Sequence, residues 1–273
     1  VSLLAAALLA AGGYVYYLHT LLEAANTTID EQEQIIEQKE IFGAAMGELV
    51  DTAAEFDGVL FHDLVPAGRI QSLADRGWTH RWDADALDRD ADAASTVTEE
   101  LRAILTAAQD LSATGNVSGT TYEATIDSLG LGFVDTNVRA DADAFCGGDV
   151  LGCVDPEHPY VVHFDATEVG QPYLTSWVQT GIAYHEFAHV LQETNVAATR
   201  TAVVAFGGDI ETMADCFALT YLPGWTLDHR IWTSSYQYWD LSVGYGYVCD
   251  ETQRQAVRDW YDSLPYHHVA YAQ

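Results

Sequence analysis

His185-Glu186-Phe187-Ala188-His189 is the stretch that most constrains this chain. It is an H-E-x-x-H pattern inside a segment with helical periodicity. Residues four apart share one face of a helix, so both imidazoles reach a single ion. Glu186 projects near the same edge, where a carboxylate can take a proton from a water. A divalent zinc site needs these parts: neutral nitrogen ligands, an open position and a carboxylate beside it. The competing reading is two histidines on a surface helix by coincidence, so the rest of the chain must supply a third ligand and a site.

Composition narrows the partners. The chain has 273 residues, 49% of them hydrophobic, with 7 Trp, 15 Tyr and 9 Phe, which excludes a disordered chain and gives ample core for one large or two modest domains. Against 41 acidic residues there are 11 Lys and Arg, a net charge of −30, and Lys39 is the only lysine. Such a chain cannot neutralise phosphates, so no nucleic-acid partner is expected. Three readings of the acidity compete: adaptation to high salt, attraction of cations, and solubility of an exported protein.

Residues 1–22 carry no formally charged side chain and are long enough to cross a bilayer as one helix. Tyr14, Tyr16, Tyr17 and His19 cluster at the far end, as interfacial aromatics do. The expectation is a single-pass membrane anchor, with contact to the lipid bilayer through residues 1–22. A cleaved signal peptide, leaving a secreted protein, is the runner-up. Glu23, Asp30, Glu31 and Glu33 follow at once, which argues against a cytoplasmic location for that side. Asn26-Thr27-Thr28 and Asn116-Val117-Ser118 are short glycosylation sequons that matter only in an exported chain.

From about Thr28 to Leu60 the apolar residues Ile35, Phe42, Met46, Leu49, Ala53, Phe56 and Leu60 form one helical stripe. It reads as a stalk helix, 23–62, too short in its stripe to favour a coiled-coil dimer. Pro66-Ala67-Gly68 breaks it. The acidic run from Asp83 to Asp92 lacks the glycine and terminal Glu of a calcium loop and reads as a solvated face. A helix is expected over Thr98–Leu111. Tyr160–Asp165 is the clearest strand, β-branched and aromatic, just upstream of the motif, in the neighbourhood where an edge strand could pair with an extended substrate.

The motif helix is expected to start near Thr175-Ser176, which can cap it, and to run to about Thr194. Beyond Gly207-Gly208, Asp209 is a good N-cap for a second helix, Ile210 to Leu222, stopped by Pro223-Gly224. Glu211 and Asp215 stand on one face of it. Glu211 follows His189 by enough chain for one helix to end and the next to pack back, so Glu211 can be the third ligand. Asp215 is then placed to accept a hydrogen bond from the outer nitrogen of a zinc histidine, fixing its tautomer. The alternative is a solvated helix face, but Met213, Cys216 and Phe217 point to burial, and buried carboxylates need a partner.

H-E-x-x-H followed by E-x-x-x-D resembles the gluzincin arrangement of zinc peptidases. HEFAHVLQ (185–192) with ETMADCFAL (211–219) is similar to a bacterial family of neutral zinc metallopeptidases, and Ala144–Asp149 resembles an upstream segment of that family. The likeness covers roughly residues 135–225; Ala188 departs from it, standing where the family usually has Gly. It implies an α+β, zincin-like metallopeptidase domain, mainly helical with a small sheet, preceded by the N-terminal transmembrane and stalk helix. It also implies one zinc ion on His185, His189 and Glu211, with Glu186 as general base. Residues 63–273 would form that catalytic domain. For the donor to a tetrahedral oxyanion, His229, Tyr236, Tyr238, His267 and His268 are open candidates.

The four cysteines, Cys146, Cys153, Cys216 and Cys249, favour two disulfides. Cys146 with Cys153 and Cys216 with Cys249 is one pairing, Cys146 with Cys216 its main rival, and reduced thiols the third option. The aromatic-rich stretch Trp225–Trp260 reads as packing around the two helices, with a carbohydrate-binding surface as the rival, and Glu251–Leu264 as a closing helix. The leading function is a membrane-anchored, extracytoplasmic zinc endopeptidase acting on peptide or protein substrates, with membrane-protein partners compatible with its location. The alternatives are a catalytically silent zincin-fold subunit of a membrane or cell-surface assembly, and a non-peptidase zinc hydrolase. The intact Glu186 favours an enzyme.

Overall fold

Helices dominate the architecture because apolar residues recur at helical spacing along most of the chain, while runs of β-branched residues are short. The structure is a computed structural model that describes residues 2–148, 150–246 and 248–268, without the side chains of 2–12 and 143. Val1 and Asp149, both used in the sequence reading, lie outside the described residues. The chain divides into two units, Val1–Ala53 with Pro66–Glu100, and Ala54–Val65 with Leu101–Gln273.

The first unit is built on α1 (Ser2–Ala54), α2 (Ala67–Thr79) and the start of α3 (Ala84–Thr114). Leu49, Ile70, Leu73, Leu87, Ala94 and Val97 are buried in it. Gly77 has no side chain because the Phe42 ring occupies that space; a Cβ there would lie 2.2 Å from it. Asp83 caps α3 by accepting from the Ala86 N–H at 3.0 Å. Asp85, Asp88 and Asp92 are solvated, as expected, whereas buried Asp90 accepts from Arg76 Nε at 2.8 Å and faces His80 Nδ1 at 2.6 Å.

Two expectations are corrected here. Among the described residues, no helix is long and apolar enough to cross a membrane, so the expected anchor over 1–22, its bilayer contact and the single-pass membrane location fall. The physical reason lies along α1. Residues 13–22 are mixed in polarity rather than continuously apolar. That stretch already holds Tyr14, Tyr16, Tyr17, His19 and Thr20, and the same unbroken helix then carries Glu23, Asp30 and Glu31. The helix also ends at Ala54 rather than Leu60, in a turn through Gly58 at φ +85°, whose N–H donates to the Tyr266 carbonyl at 2.9 Å. Phe56, expected on the stripe, is instead buried in the second unit together with Phe61; both rings meet Phe133, and Phe61 also meets Phe187.

In the second unit, α4 (Thr121–Gly130), α6 (Ser176–Thr194) and α8 (Ile210–Tyr221) pack with a three-stranded sheet, and α9 (Glu251–Asp262) closes against α8. Between them run α5 (Ala142–Cys146) and α7 (Val196–Ala202). The sheet order is β1 (Asp135–Arg139), β3 (Val161–Asp165), β2 (Gly152–Val154). β3 pairs parallel with β1 and antiparallel with β2, Gly152 standing opposite Phe164. The strand read from the sequence is therefore the central one, buried from Val162 to Asp165, and the free edge near the motif helix is β2. A second sheet is the hairpin of β4 (Asp228–Trp232) and β5 (Tyr238–Ser242), paired antiparallel. It occupies part of the aromatic stretch for which no strand was expected.

Candidate metal centre

Three elements deliver the site. Thr175 caps α6, its side chain accepting from the Val178 N–H at 3.4 Å. Phe187, Val190 and Leu191 on that helix are wholly buried, which fixes its rotation and leaves His185 and His189 on the face toward α8. After α7 the chain reverses through Gly207 and Gly208, both at positive φ, a turn that a side chain would strain. Asp209 then caps α8 by accepting from the N–H groups of Glu211 and Thr212 at 3.0 and 3.2 Å. That cap holds Glu211 in the first turn, beside the histidines.

Four of the sequence-derived residues converge. His185 Nε2 and His189 Nε2 are 3.1 Å apart, and Glu211 Oε2 lies 3.0 Å from His189 Nε2 and 3.3 Å from His185 Nε2. His185 Nδ1 is bonded to Asp215 Oδ1 at 2.8 Å, and Asp215 also accepts from the Tyr245 N–H at 2.7 Å. His189 Nδ1 is bonded to Gln192 Oε1 at 2.8 Å, while Gln192 Nε2 donates to the Ile210 carbonyl at 3.0 Å, across the gap between the helices. With both Nδ1 atoms committed to oxygen acceptors as donors, the neutral imidazoles direct their Nε2 lone pairs toward one point.

The donor set fits zinc. Tetrahedral zinc, with ligands at roughly 2.0–2.2 Å, holds neighbouring ligand atoms about 3.3 Å apart. The triangle here has sides of 3.1, 3.0 and 3.3 Å, it is made of two imidazoles and one carboxylate, and its His185 corner lines a cleft. Charge agrees. Burial works against a charged His185, yet its bonds to Asp215 and Glu211 outweigh this and push it up to about 10. Burial would raise Glu211, but the two histidines hold it well below the usual carboxylate range. The cluster is a place that selects positive charge.

Glu186 stands beside this triangle, only 6% exposed, and burial holds its carboxyl above the ordinary range while the histidines pull it back. Gly152 of β2 makes room for it; a Cβ there would sit 3.0 Å from Glu186 Oε1 and 2.9 Å from the Phe164 ring. The cleft in front measures about 260 Å³. Val150, Leu151 and Gly152 form one wall, Val243, Gly244 and Tyr245 the other, and Ile182, Ala218, Trp225 and Leu227 line it between them. The Trp225 indole lies flat on Gly181, where a Cβ would be 2.1 Å away. Replacing Gly152 with Val is expected to destabilise the fold by about 1–3 kcal/mol, because the new side chain presses on Glu186 and the Phe164 ring; denaturant unfolding measures it.

Both disulfides flank the cleft. Cys146–Cys153 closes the loop carrying Val150–Gly152, and Cys216–Cys249 ties the residue after Asp215 to the segment that follows Tyr245. Of the two pairings weighed, this is the one present.

None of His229, Tyr236, Tyr238, His267 and His268 lines the cleft. His229 packs on Trp225, Tyr236 is 93% exposed at the hairpin turn, Tyr238 lies under Arg230, and His268 is bonded to Asp57 at 2.7 Å. Tyr245 occupies the place instead. Its ring stacks on His185 at 6.2 Å, and burial together with the Glu211 charge pushes its hydroxyl up to about 12. Gly244-Tyr245-Gly246 has no periodicity in the sequence to signal it. Gly244, at φ +83°, lets the backbone close on Asp215, whose Oδ1 would be 2.4 Å from a Cβ. Gln192 carried a usable signal, three residues past His189 on the same helical face.

A scan against protein-family models, a search of the curated proteins and a search of the solved structures return no match.

Proposed function

We propose that this chain is a zinc-dependent peptidase of gluzincin type. The observation that carries the reading is the convergence of His185 Nε2, His189 Nε2 and Glu211 Oε2 within 3.3 Å of one another, beside a buried carboxylate that none of them uses. Bound zinc would supply Lewis acidity toward a peptide carbonyl and toward an attacking water. Glu186 takes the proton from that water at its carboxylate and passes it to the leaving amine, a role favoured by a carboxyl that burial holds above its ordinary range. Asp215 and Gln192 keep the two imidazoles in the ligating tautomer. The Tyr245 hydroxyl, kept protonated, donates to Glu211 in the metal-free chain and would turn to donate to the carbonyl oxygen of a bound substrate. The free edge of β2 suits an extended polypeptide, and the apolar lining from Ile182 to Trp225 suits an apolar substrate side chain.

Metal analysis by mass spectrometry and cleavage of denatured casein test the reading. One zinc per chain is expected, with cleavage abolished by a chelator and restored by added zinc. Stoichiometric zinc with no cleavage would leave a structural centre, and a chain that retains no zinc would remove the site itself.

A further inference from the structure

Every residue of α1 from 13 to 34 is exposed, although the segment is helical throughout. A lone helix in water draws its stability from burying one face, and this one carries an apolar face. Val15, Leu18, Leu22, Ile29 and Ile36 are 66%, 46%, 61%, 52% and 57% exposed. Their order is a heptad repeat. Val15, Leu22, Ile29 and Ile36 recur every seven residues, and Leu18, Ala25 and Gln32 stand three residues after the first three of them. This seam precedes the residues Ala45, Leu49 and Ala53 that α1 buries in its own unit.

We infer that residues 15–36 of α1 form a parallel, in-register two-stranded coiled coil with a second copy of this chain. Three features select that occupant. β-Branched residues fill three of the four positions of the Val15 series, the preference of two parallel strands. A parallel register stacks Val15, Leu22, Ile29 and Ile36 each on itself and sets Gln32 against Gln32, amide to amide. An antiparallel one would press Gln32 against Leu22 and Lys39 against Val15, and Lys39 is already seated 3.7 Å over the Trp82 ring. Charge is arranged to permit the pairing in a chain of net charge −30. Glu23, Asp30 and Glu37 fall next to the seam residues on the outward side. The positions that would meet Glu33 and Glu40 across a parallel seam are Thr28 and Ile35, neither of them charged.

Light scattering on the purified full chain tests this over a range of concentrations. A mass of twice 29.9 kDa is expected, falling to 29.9 kDa in the double variant Ile29→Glu/Ile36→Glu and unchanged in Asp30→Lys. All four native cysteines are in disulfides, so Gln32→Cys adds the only thiol; oxidation should link it into a covalent dimer, and Gln34→Cys should not link. A monomeric wild type, or a dimer that survives the double variant, overturns the inference. So does flotation of the wild-type chain with phosphatidylcholine vesicles that the double variant loses, because the face would then cover lipid. A dimer without the Gln32→Cys link overturns the parallel register. Near-ultraviolet circular dichroism unchanged in the double variant, with far-ultraviolet helicity lost only to the extent of the seam, keeps loss of dimer distinct from loss of fold.

Discussion

Glu186→Gln is expected to lower kcat by roughly 10²–10⁴-fold, the contribution of a positioned general acid–base group, while zinc content and KM stay close to those of the parent chain. The substitution is nearly isosteric, and the side chain is only 6% exposed, wedged between α6 and Gly152 of β2, so it has nowhere to rearrange. Glutamine cannot accept and return a proton at neutral pH, which removes the one step assigned to this residue. The three ligand atoms are on other side chains and their hydrogen bonds run to Asp215 and Gln192, so binding of the ion does not depend on Glu186. Burial already disfavours the charged carboxylate, and a neutral amide at this position leaves the fold at least as stable. Cleavage undiminished in Glu186→Gln would remove the residue from the chemistry and with it the peptidase reading.

The legible part of this protein was the part fixed by local chemistry. Thr175 and Asp209 are capping residues ahead of apolar periodicity, and α6 and α8 begin where those caps predict. Because a four-residue spacing puts each pair on one helix face, His185 with His189 and Glu211 with Asp215 are legible as two facing sets in the sequence. Asp250, with Gln253 three residues on, likewise starts α9. What stayed illegible was set by tertiary pairing. β2 is three residues long and has no periodicity to read, yet it is the strand edge beside Glu186. Tyr245 reaches the site through a glycine turn whose only constraint is the close approach of Gly244 to Asp215. At the N-terminus the error was one of kind. An uncharged run is not by itself a spanning segment: the described part of α1 carries tyrosines and acidic residues on one unbroken helix. α3 begins at Ala84 rather than Thr98, because Asp83 caps it and the burial of Ala86, Leu87 and Ala91 outweighs the low helix propensity of the intervening Asp residues.

Asp215→Asn is expected to weaken zinc binding by about 10–100-fold, although Asp215 is not a ligand. The carboxylate has two acceptor oxygens and uses both, one for His185 Nδ1 at 2.8 Å and one for the Tyr245 N–H at 2.7 Å. An amide has one acceptor and one donor. If its oxygen stays on His185, its NH₂ faces the Tyr245 N–H, donor against donor, at a side chain 1% exposed where no bulk water can intervene. If it turns the other way, the NH₂ donates to Nδ1, the ring proton moves to Nε2, and the lone pair aimed at the metal is lost. The pH dependence should change with it. In the metal-free chain His185 holds its proton up to about 10, largely through Asp215 and Glu211, so zinc and a proton compete for Nε2. Affinity should therefore rise with pH across 6–8, by up to about tenfold per unit for the one proton displaced. Without the Asp215 charge the imidazole loses its proton at lower pH, and the rise should flatten while the affinity at pH 8 falls. Competition titrations against a chromophoric chelator at three pH values separate this from general unfolding, which would lower affinity without changing its slope.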